Sequence, residues 1–428
     1  MPVAPAEFPS RHPTGLYVLF FTELWERYSF YSMMAILTLY MDEALHFDAA
    51  RIGRVYGGYI GGVYLLPLVG GFLADRVLGF YRTVVIGAVI MMLGHLVLAV
   101  ESLPFFYVGL ILLACGSGML KPNVSTIVGN LYRDRPELRD AGFNLFYMGI
   151  NIGALVAPLS VAWLRAHYGW SVAFGSAAVA MVASLLVFVS GRRHIADAAA
   201  MAPRLDTRVN ERSEDNERSR ILTLLVVFGV SALFCIAFYQ NAFTLTFWAR
   251  DNTNTSIASE SFQSVEPLGV IAFSASLVGV WAWLGRRGLE PSTPAKMLGG
   301  VLLVAAAFGL MSVAGLVGGD TGRVSVWWLV SAYVLIALGE VCLSPMGLSL
   351  VNRVAPARSR GLLMGAWFVS LSAGGYFAGF VGAYWNRMPH SRFFLLVVGL
   401  LMIAALVLML VMSQVRRVLR DAERASIG

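Results

Sequence analysis

The sequence predicts an all-α, polytopic membrane protein with twelve spanning helices arranged as two six-helix bundles. Three observations predict it. Apolar residues make up 58% of the 428 residues and charged residues only 13%, where a soluble chain carries about 25%. The mean hydropathy is +0.70, and the apolar excess runs along the whole chain instead of marking one anchor on a soluble domain. The basic residues gather in alternate connections between the apolar runs, and one long polar stretch sits near the middle. The 43 glycines suit helices that pack closely in lipid.

A spanning helix takes about 20 mostly apolar residues. Twelve runs qualify in order: 15–41, 52–75, 80–100, 104–130, 140–165, 169–190, 220–249, 260–285, 295–318, 325–352, 360–385 and 391–414. The first is interrupted by Glu23, Glu26 and Arg27, and no small-residue cleavage site follows it. It therefore reads as a membrane helix, not as a removed signal. An even number of spans places both termini on one side. Of the 32 basic residues, 23 lie in the tails and in the connections on that side; Arg51, Arg54, Arg165, Arg250, Arg323, Arg387 and Arg392 lie on the other, and Arg27 and Lys121 fall within spans. This bias puts both termini in the cytoplasm.

The polar stretch 191–219, GRRHIADAAAMAPRLDTRVNERSEDNERS, reads as a cytoplasmic linker. It divides the chain into an N-terminal bundle (1–190) and a C-terminal bundle with a short tail (220–428). A shift of 223 residues places Gly116 on Gly339, Pro122 on Pro345, Arg135 on Arg358 and Gly142 on Gly365, a weak internal echo. Two related halves fit a transporter with its site at their interface.

Composition excludes other classes. The net charge of +7 is explained by topology and gives no nucleic-acid signal. Cys115, Cys235 and Cys342 lie in apolar runs and read as packing residues. No metal-ligand cluster, nucleophile elbow or Ser/His/Asp arrangement is visible. The glycine-rich segment 70–79 lacks the lysine and the context of a phosphate loop.

The chemistry lies in charged residues inside apolar helices, where an ionised group costs several kcal/mol unless it faces a wet cavity or a partner. In the first span, spacings of three and four put Glu23, Glu26 and Arg27 on one face, continued by Tyr31 and Met34. The plainer reading is a structural ion cluster; the sharper one is a proton or substrate site. Lys121, near the middle of the fourth span, has no local acidic neighbour, so its partner must come from another helix, with the first span the obvious source. The alternative is a lysine that snorkels to an interface. Pro122 beside it permits a bend. Glu340, mid-way along the tenth span, either binds a cationic ligand group or is a protonated carboxyl satisfied by a backbone carbonyl. Glu266 opens the eighth span at a shallower level and is either functional or a solvated helix start.

These residues carry a resemblance. Segment 70–82 resembles the conserved loop of the major facilitator superfamily. ELWERYSFY resembles the first-helix signature ExxERFxYY of the proton-dependent oligopeptide transporter (POT) family. FYMGINIGAL at 146–155, GMLKPNVST, FQSVEP and GEVCLSPMGLS are similar to its helix 5, 4, 8 and 10 segments. The resemblance implies a major facilitator fold and proton-coupled uptake of di- and tripeptides by alternating access, without a cofactor, in the cell (inner) membrane, by a monomer. It further implies that Glu23, Glu26 and Arg27 form the coupling group with Lys121, that Tyr31, Tyr64 and Asn151 line the peptide pocket with Tyr239 and Gln240, that Glu340 receives the peptide amino group, and that Trp367 lines a side-chain pocket.

Three positions depart from the family pattern. Met34 stands where the family has Arg, Tyr239 where it has Glu, and Glu266 where it has Asn. The 191–219 stretch is also too short and polar for the two extra helices of many bacterial relatives. We expect Glu266 to replace the lost carboxylate, and so to join both the coupling group and the pocket. With no cation at Met34, free peptide carboxylates should be held less firmly and modified or bulky peptides tolerated. The buried charges do not fix direction, so efflux of drugs or peptide natural products on the same scaffold is an alternative. A non-transporting peptide receptor is the alternative of another class.

Overall fold

Backbone groups in lipid have no water to bond to, so spanning segments must satisfy their N–H and C=O groups internally. The computed structural model describes residues 12–201, 214–356 and 359–427. Its helices are α1 (Thr14–Leu39), α2 (Ala49–Leu65), α3 (Pro67–Leu73), α4 (Phe80–Leu98), α5 (Leu103–Leu131), α6 (Arg139–Ser190), α7 (Arg192–Ala200), α8 (Glu214–Phe238), α9 (Thr244–Asp251), α10 (Val265–Arg286), α11 (Thr293–Val317), α12 (Val326–Val354), α13 (Arg360–Gly382) and α14 (His390–Ile427).

Ten stretches are long and apolar enough to cross a membrane, one of them running from Pro136 to Ser190. That stretch makes two crossings. Gly169, with φ 81° and ψ −174°, interrupts α6 between the expected fifth and sixth spans; a side chain there would be strained, whereas glycine adopts positive φ freely. The first crossing, α1, is apolar except for Glu23, Glu26 and Arg27, which lower its hydropathy. Twelve crossings result. The second is made of α2 and α3, interrupted at Leu66 just before Pro67, whose missing N–H cannot continue the ladder.

The seventh crossing differs from expectation. A single helix over 220–249 is expected, but α8 stops at Phe238 and α9 starts at Thr244. Gln240 accounts for the break. Its Nε2 donates to the freed Ile236 carbonyl at 3.1 Å and to Ala378 O at 2.9 Å, and its Oε1 accepts from Thr244 Oγ1 at 3.0 Å. The side chain thus supplies partners that backbone continuation would otherwise provide. Within the expected linker, α7 buries Ile195, Ala198 and Ala199 against α1, α4 and α5. Residues 202–213 of that stretch, residues 1–11 and Arg358 lie outside the described residues.

In the first half α1 packs on α6 and α4 on α5; in the second, α11 packs on α12 and α14, and α8 on α13 and α14. The halves meet along α2 with α13 and along α6 with α10. At the α2–α13 crossing Gly53 and Gly379 touch backbone to backbone, and a Cβ on either would collide with the other's carbonyl oxygen. Small residues of this kind let spanning helices approach closely. Large apolar side chains such as Val179, Leu186 and Leu410 point outward, as a lipid-facing surface requires.

At the end away from the termini, ion pairs tie the halves together. Arg165 of α6 reaches Glu260 at 2.6 Å and Glu43 at 3.3 Å. Arg250 of α9 reaches Asp42 at 2.6 Å, Glu43 at 3.2 Å and its neighbour Asp251 at 2.8 Å. Glu260 is fully buried. Just inside this layer Thr38 Oγ1 donates to Ala242 O at 3.1 Å, and Gln263 Nε2 donates to Ala35 O at 3.2 Å. Both bonds again cross from one half to the other.

Candidate functional site

Below the tied end, between the halves, lies a cavity of about 220 Å³. Its first wall comes from one face of α1, where helical spacing aligns Arg27, Tyr31 and Met34. Tyr64 of α2, Lys121 of α5, and Tyr147 and Asn151 of α6 complete that wall. The second half contributes Tyr239 and Asn241 from the break after α8, Gln263 from the 3-10 turn Ser259–Ser264, Glu266 from the start of α10, and Glu340 from α12.

The charges divide by wall. Arg27 is held from behind by Glu26, which takes both its Nε and its second guanidinium nitrogen, and by Glu23, whose Oε1 lies 3.2 Å from Nε. All three are buried. The spare Oε2 of Glu23 has no hydrogen-bond partner among the described residues. The Lys121 ammonium lies 4.7 Å from the centre of the Tyr64 ring, a cation–π placement, and no carboxylate among the described residues lies within ion-pair distance of it. On the opposite wall stand Glu266 and Glu340. Glu340 Oε2 is shielded from solvent and has no partner among the described residues. Cations thus stand on one side of the cavity and carboxyls on the other.

Eight of the expected site residues line this cavity: Arg27, Tyr31, Tyr64, Lys121, Asn151, Tyr239, Glu266 and Glu340. Glu23 and Glu26 stand behind Arg27 rather than on the surface. Glu266, expected at a shallow level, lines the same cavity as Glu340, and the buried 3-10 turn Ser259–Ser264 just before it packs against α6 and α1. Two expected lining residues face elsewhere. Gln240 is fully buried in the α8–α9 break, its amide consumed by Ile236, Ala378 and Thr244. Trp367 packs edge-on to Phe228, with ring centres 5.8 Å apart, and lies flush against Gly347, where a Cβ would strike its ring. Tyr147 and Gln263 line the cavity without having been singled out. Tyr147 stands one helical turn before Asn151, whose Nδ2 donates to its carbonyl at 2.9 Å. Gln263 stands three residues before Glu266. Helical spacing from the residues already chosen points to both.

Tyr239 seals the middle of the cavity. Its ring lies 5.9 Å from that of Tyr64, and its carbonyl accepts from Tyr56 Oη at 2.8 Å. Both contacts join the two halves.

Twelve crossings in two bundles, with a charged cavity where the bundles meet, define a secondary transporter of the major facilitator fold, not an enzyme. The profile of the POT family (PTR2) matches residues 81–203 and 195–393. The chain is 33% identical over 90% of its length to the uncharacterized transporter YclF of Bacillus subtilis, again covering 90% of that protein. It is 29% identical to the peptide transporter YePEPT of Yersinia enterocolitica, with 96% of each chain covered. Among solved structures, the peptide transporter POT in complex with sulfate superposes with a TM-score of 0.88 at 30% identity, over 96% of this chain and 98% of that one. A POT family transporter in complex with 5-aminolevulinic acid superposes with a TM-score of 0.86 at 25% identity, over 97% and 98%. The chain belongs to the POT family.

Proposed function

We propose that this protein is a proton-coupled symporter that takes up di- and tripeptides or peptide-like molecules by alternating access. The observation that carries this reading is the division of charge across one cavity. A peptide has an ammonium at one end and a carboxylate at the other. Lys121 and Arg27 line the first-half wall, Glu340 and Glu266 the second-half wall, and the side-chain amides of Asn151 and Asn241 line the same cavity. A cavity of about 220 Å³ lies below the roughly 300–1,000 Å³ usual for drug-sized ligands, which favours a small substrate. The names of the relatives support the same reading.

Coupling follows from competition for the cations. In the state described, Glu23 and Glu26 occupy Arg27. A proton on either carboxyl weakens that hold, and the substrate carboxylate then takes the freed cation. Proton and substrate each bind one arrangement of the bundles better than the other, so each shifts the balance and each favours the other's binding. Glu266 takes the part of a titratable group on the second half, opposite the α1 cluster. The two halves are divided at about residues 190 and 220. Both termini lie in the cytoplasm of the cell (inner) membrane, where the basic connections collect, and the carrier works as a monomer with protons as its coupling ion and no cofactor.

Reconstitution in proteoliposomes tests the reading. An inward proton gradient should drive accumulation of a labelled dipeptide in the wild type. Glu266→Gln should lose accumulation while it still exchanges dipeptide for dipeptide. Accumulation equal to that of the wild type would remove Glu266 from the coupling group, and the absence of any gradient-driven uptake would overturn the symport reading.

A further inference from the structure

We propose that an anionic phospholipid binds where the halves meet at the end away from the termini, with its phosphate between Arg54 and Arg387 and one tail in a groove between α2 and α5. The site lies outside the substrate cavity and does not depend on what the carrier moves. It starts from two arginines that nothing matches. At this end Arg165 and Arg250 are spent on carboxylates. Arg51 donates to Tyr107 Oη at 3.1 Å and lies over the Phe47 ring. Arg54 of α2 and Arg387, just after α13, have no carboxylate within ion-pair distance among the described residues. Both line one pocket of about 190 Å³, together with Gly53, Tyr376 and Tyr384. The close crossing of Gly53 and Gly379 brings the two helices, and so the two charges, to the same opening. Like charges at one opening repel each other, and an anion between them turns that repulsion into attraction.

Arg54 also lines a second cavity, of about 440 Å³, between α2 and α5. Spacings of four put Arg54, Gly58 and Gly62 on one face of α2. A Cβ on Gly58 would meet nothing within 4 Å. The two missing side chains leave a trough about 12 Å long, and Tyr107, Ile111 and Ala114 of α5 wall its other side. A free inorganic anion has no use for this apolar trough, and a neutral apolar molecule has none for the arginines. A negative headgroup joined to a hydrocarbon tail fits both, and the bilayer supplies it. Tyr107, Tyr376 and Tyr384, which share these openings with Arg54, suit the headgroup boundary, where tyrosines collect. Each guanidinium can hold two phosphate oxygens with its planar fork. A choline or ethanolamine ammonium would bring a third positive charge to the opening, so the anionic headgroup is preferred. Arg54 belongs to the first half and Arg387 to the second, so a phosphate held by both favours the arrangement closed at this end.

Cys115 lines the groove and is half-buried, whereas Cys235 and Cys342 are buried, so its thiol reports the tail. The experiment treats the full chain in detergent with N-ethylmaleimide and follows modification of Cys115 by mass spectrometry, with phosphatidylglycerol, phosphatidylcholine or inorganic phosphate added. Phosphatidylglycerol should protect the thiol at a concentration about twentyfold below that of phosphatidylcholine, since an arginine near an anionic lipid contributes roughly a factor of five and two are engaged. Inorganic phosphate should not protect it. Arg54→Gln and Arg387→Gln should each raise the half-protecting concentration of phosphatidylglycerol about fivefold. Arg387 does not line the groove, so its effect on Cys115 travels only through a molecule that touches both openings. Equal protection by the two lipids, protection by inorganic phosphate as strong as by phosphatidylglycerol, or a half-protecting concentration unchanged in either variant overturns the proposal. Both arginines are exposed, so the variants should fold; where one does not, the comparison of the two lipids on the wild type decides the matter.

Discussion

Lys121 is the charge whose setting says most about its use. Its ammonium rests over the Tyr64 ring instead of in an ion pair, so it is available to a ligand carboxylate. Lys121→Gln should weaken a dipeptide about tenfold or more in exchange competition, while the same dipeptide with an amidated C-terminus should change by less than about threefold, because only the free carboxylate uses the charge. Equal losses for both would show that the lysine supports the fold. Met34 gives the converse test. It faces the cavity one helical repeat beyond Arg27, and Met34→Arg should strengthen free-carboxylate dipeptides over their amides. The residues of the site were largely legible in the sequence, since buried charges in apolar helices are rare and each one stands out. Gln240 and Trp367, expected in the pocket, lie off the cavity lining: Trp367, within α13, packs on Phe228 and Gly347, and Gln240 sits in the α8–α9 break. Linear sequence shows the helix a residue belongs to, but the direction of a side chain at a helix end depends on where the chain breaks, and the α8–α9 break after Phe238 is written in a side-chain hydrogen-bond pattern that apolar content does not reveal.

At the scale of elements, the expected spans match the helices to within a few residues, except that α8 stops at Phe238 where the seventh was expected to reach 249 and α14 continues to Ile427 where the twelfth was expected to end at 414. Gly169 also fell where two spans were expected to meet. The turn demands a backbone that strains any side chain, so Gly169→Ala should lower stability by about 1 kcal/mol, seen as a lower unfolding temperature in detergent. The inward approach of α10 was not legible. A glutamate ahead of a proline at a helix start looks solvated, and only the packing of Ser259–Ser264 against α6 and α1 shows why Glu266 lines the cavity with Glu340. The α2–α13 crossing yields the firmest prediction at this scale. Gly379→Val places side-chain atoms where Gly53 carbonyl oxygen already lies, and overpacking of this kind costs about 1–3 kcal/mol. Because the crossing joins the halves, the substitution should also reduce peptide exchange even where the protein still folds. Normal exchange with normal stability would show that the two helices can part without consequence.

At the scale of the whole molecule, the described state is closed at the end away from the termini, and the closure is largely ionic. Arg165 and Glu260 join the halves at 2.6 Å, with Glu260 sealed from solvent. Removing one member of a buried pair leaves the other unmatched, which costs about 3–5 kcal/mol when both are buried and less here, where Arg165 is partly exposed. Arg165→Met should therefore shift the population toward an arrangement open at this end. Spin labels at Tyr168 and Ile257, both exposed and on opposite halves, should report a longer mean distance in that variant. An unchanged distance distribution would mean that the hydrogen bonds of Thr38 and Gln263 hold the end closed unaided. The second ion group has a different character. Arg250, Asp42 and Glu43 are each about one-third exposed, so dissolved ions reach them. The screening length shrinks from about 8 Å at physiological ionic strength to about 3 Å at 1 M. Salinity on that face thus becomes an input to the carrier's resting position. In brine the clasp loosens and its mouth gapes more often; in fresh water it stays shut longer. The Tyr168–Ile257 spin-label distance should therefore lengthen as salt is raised from physiological strength to 1 M, and a distance that ignores salt would show that this ion group does not hold the end closed.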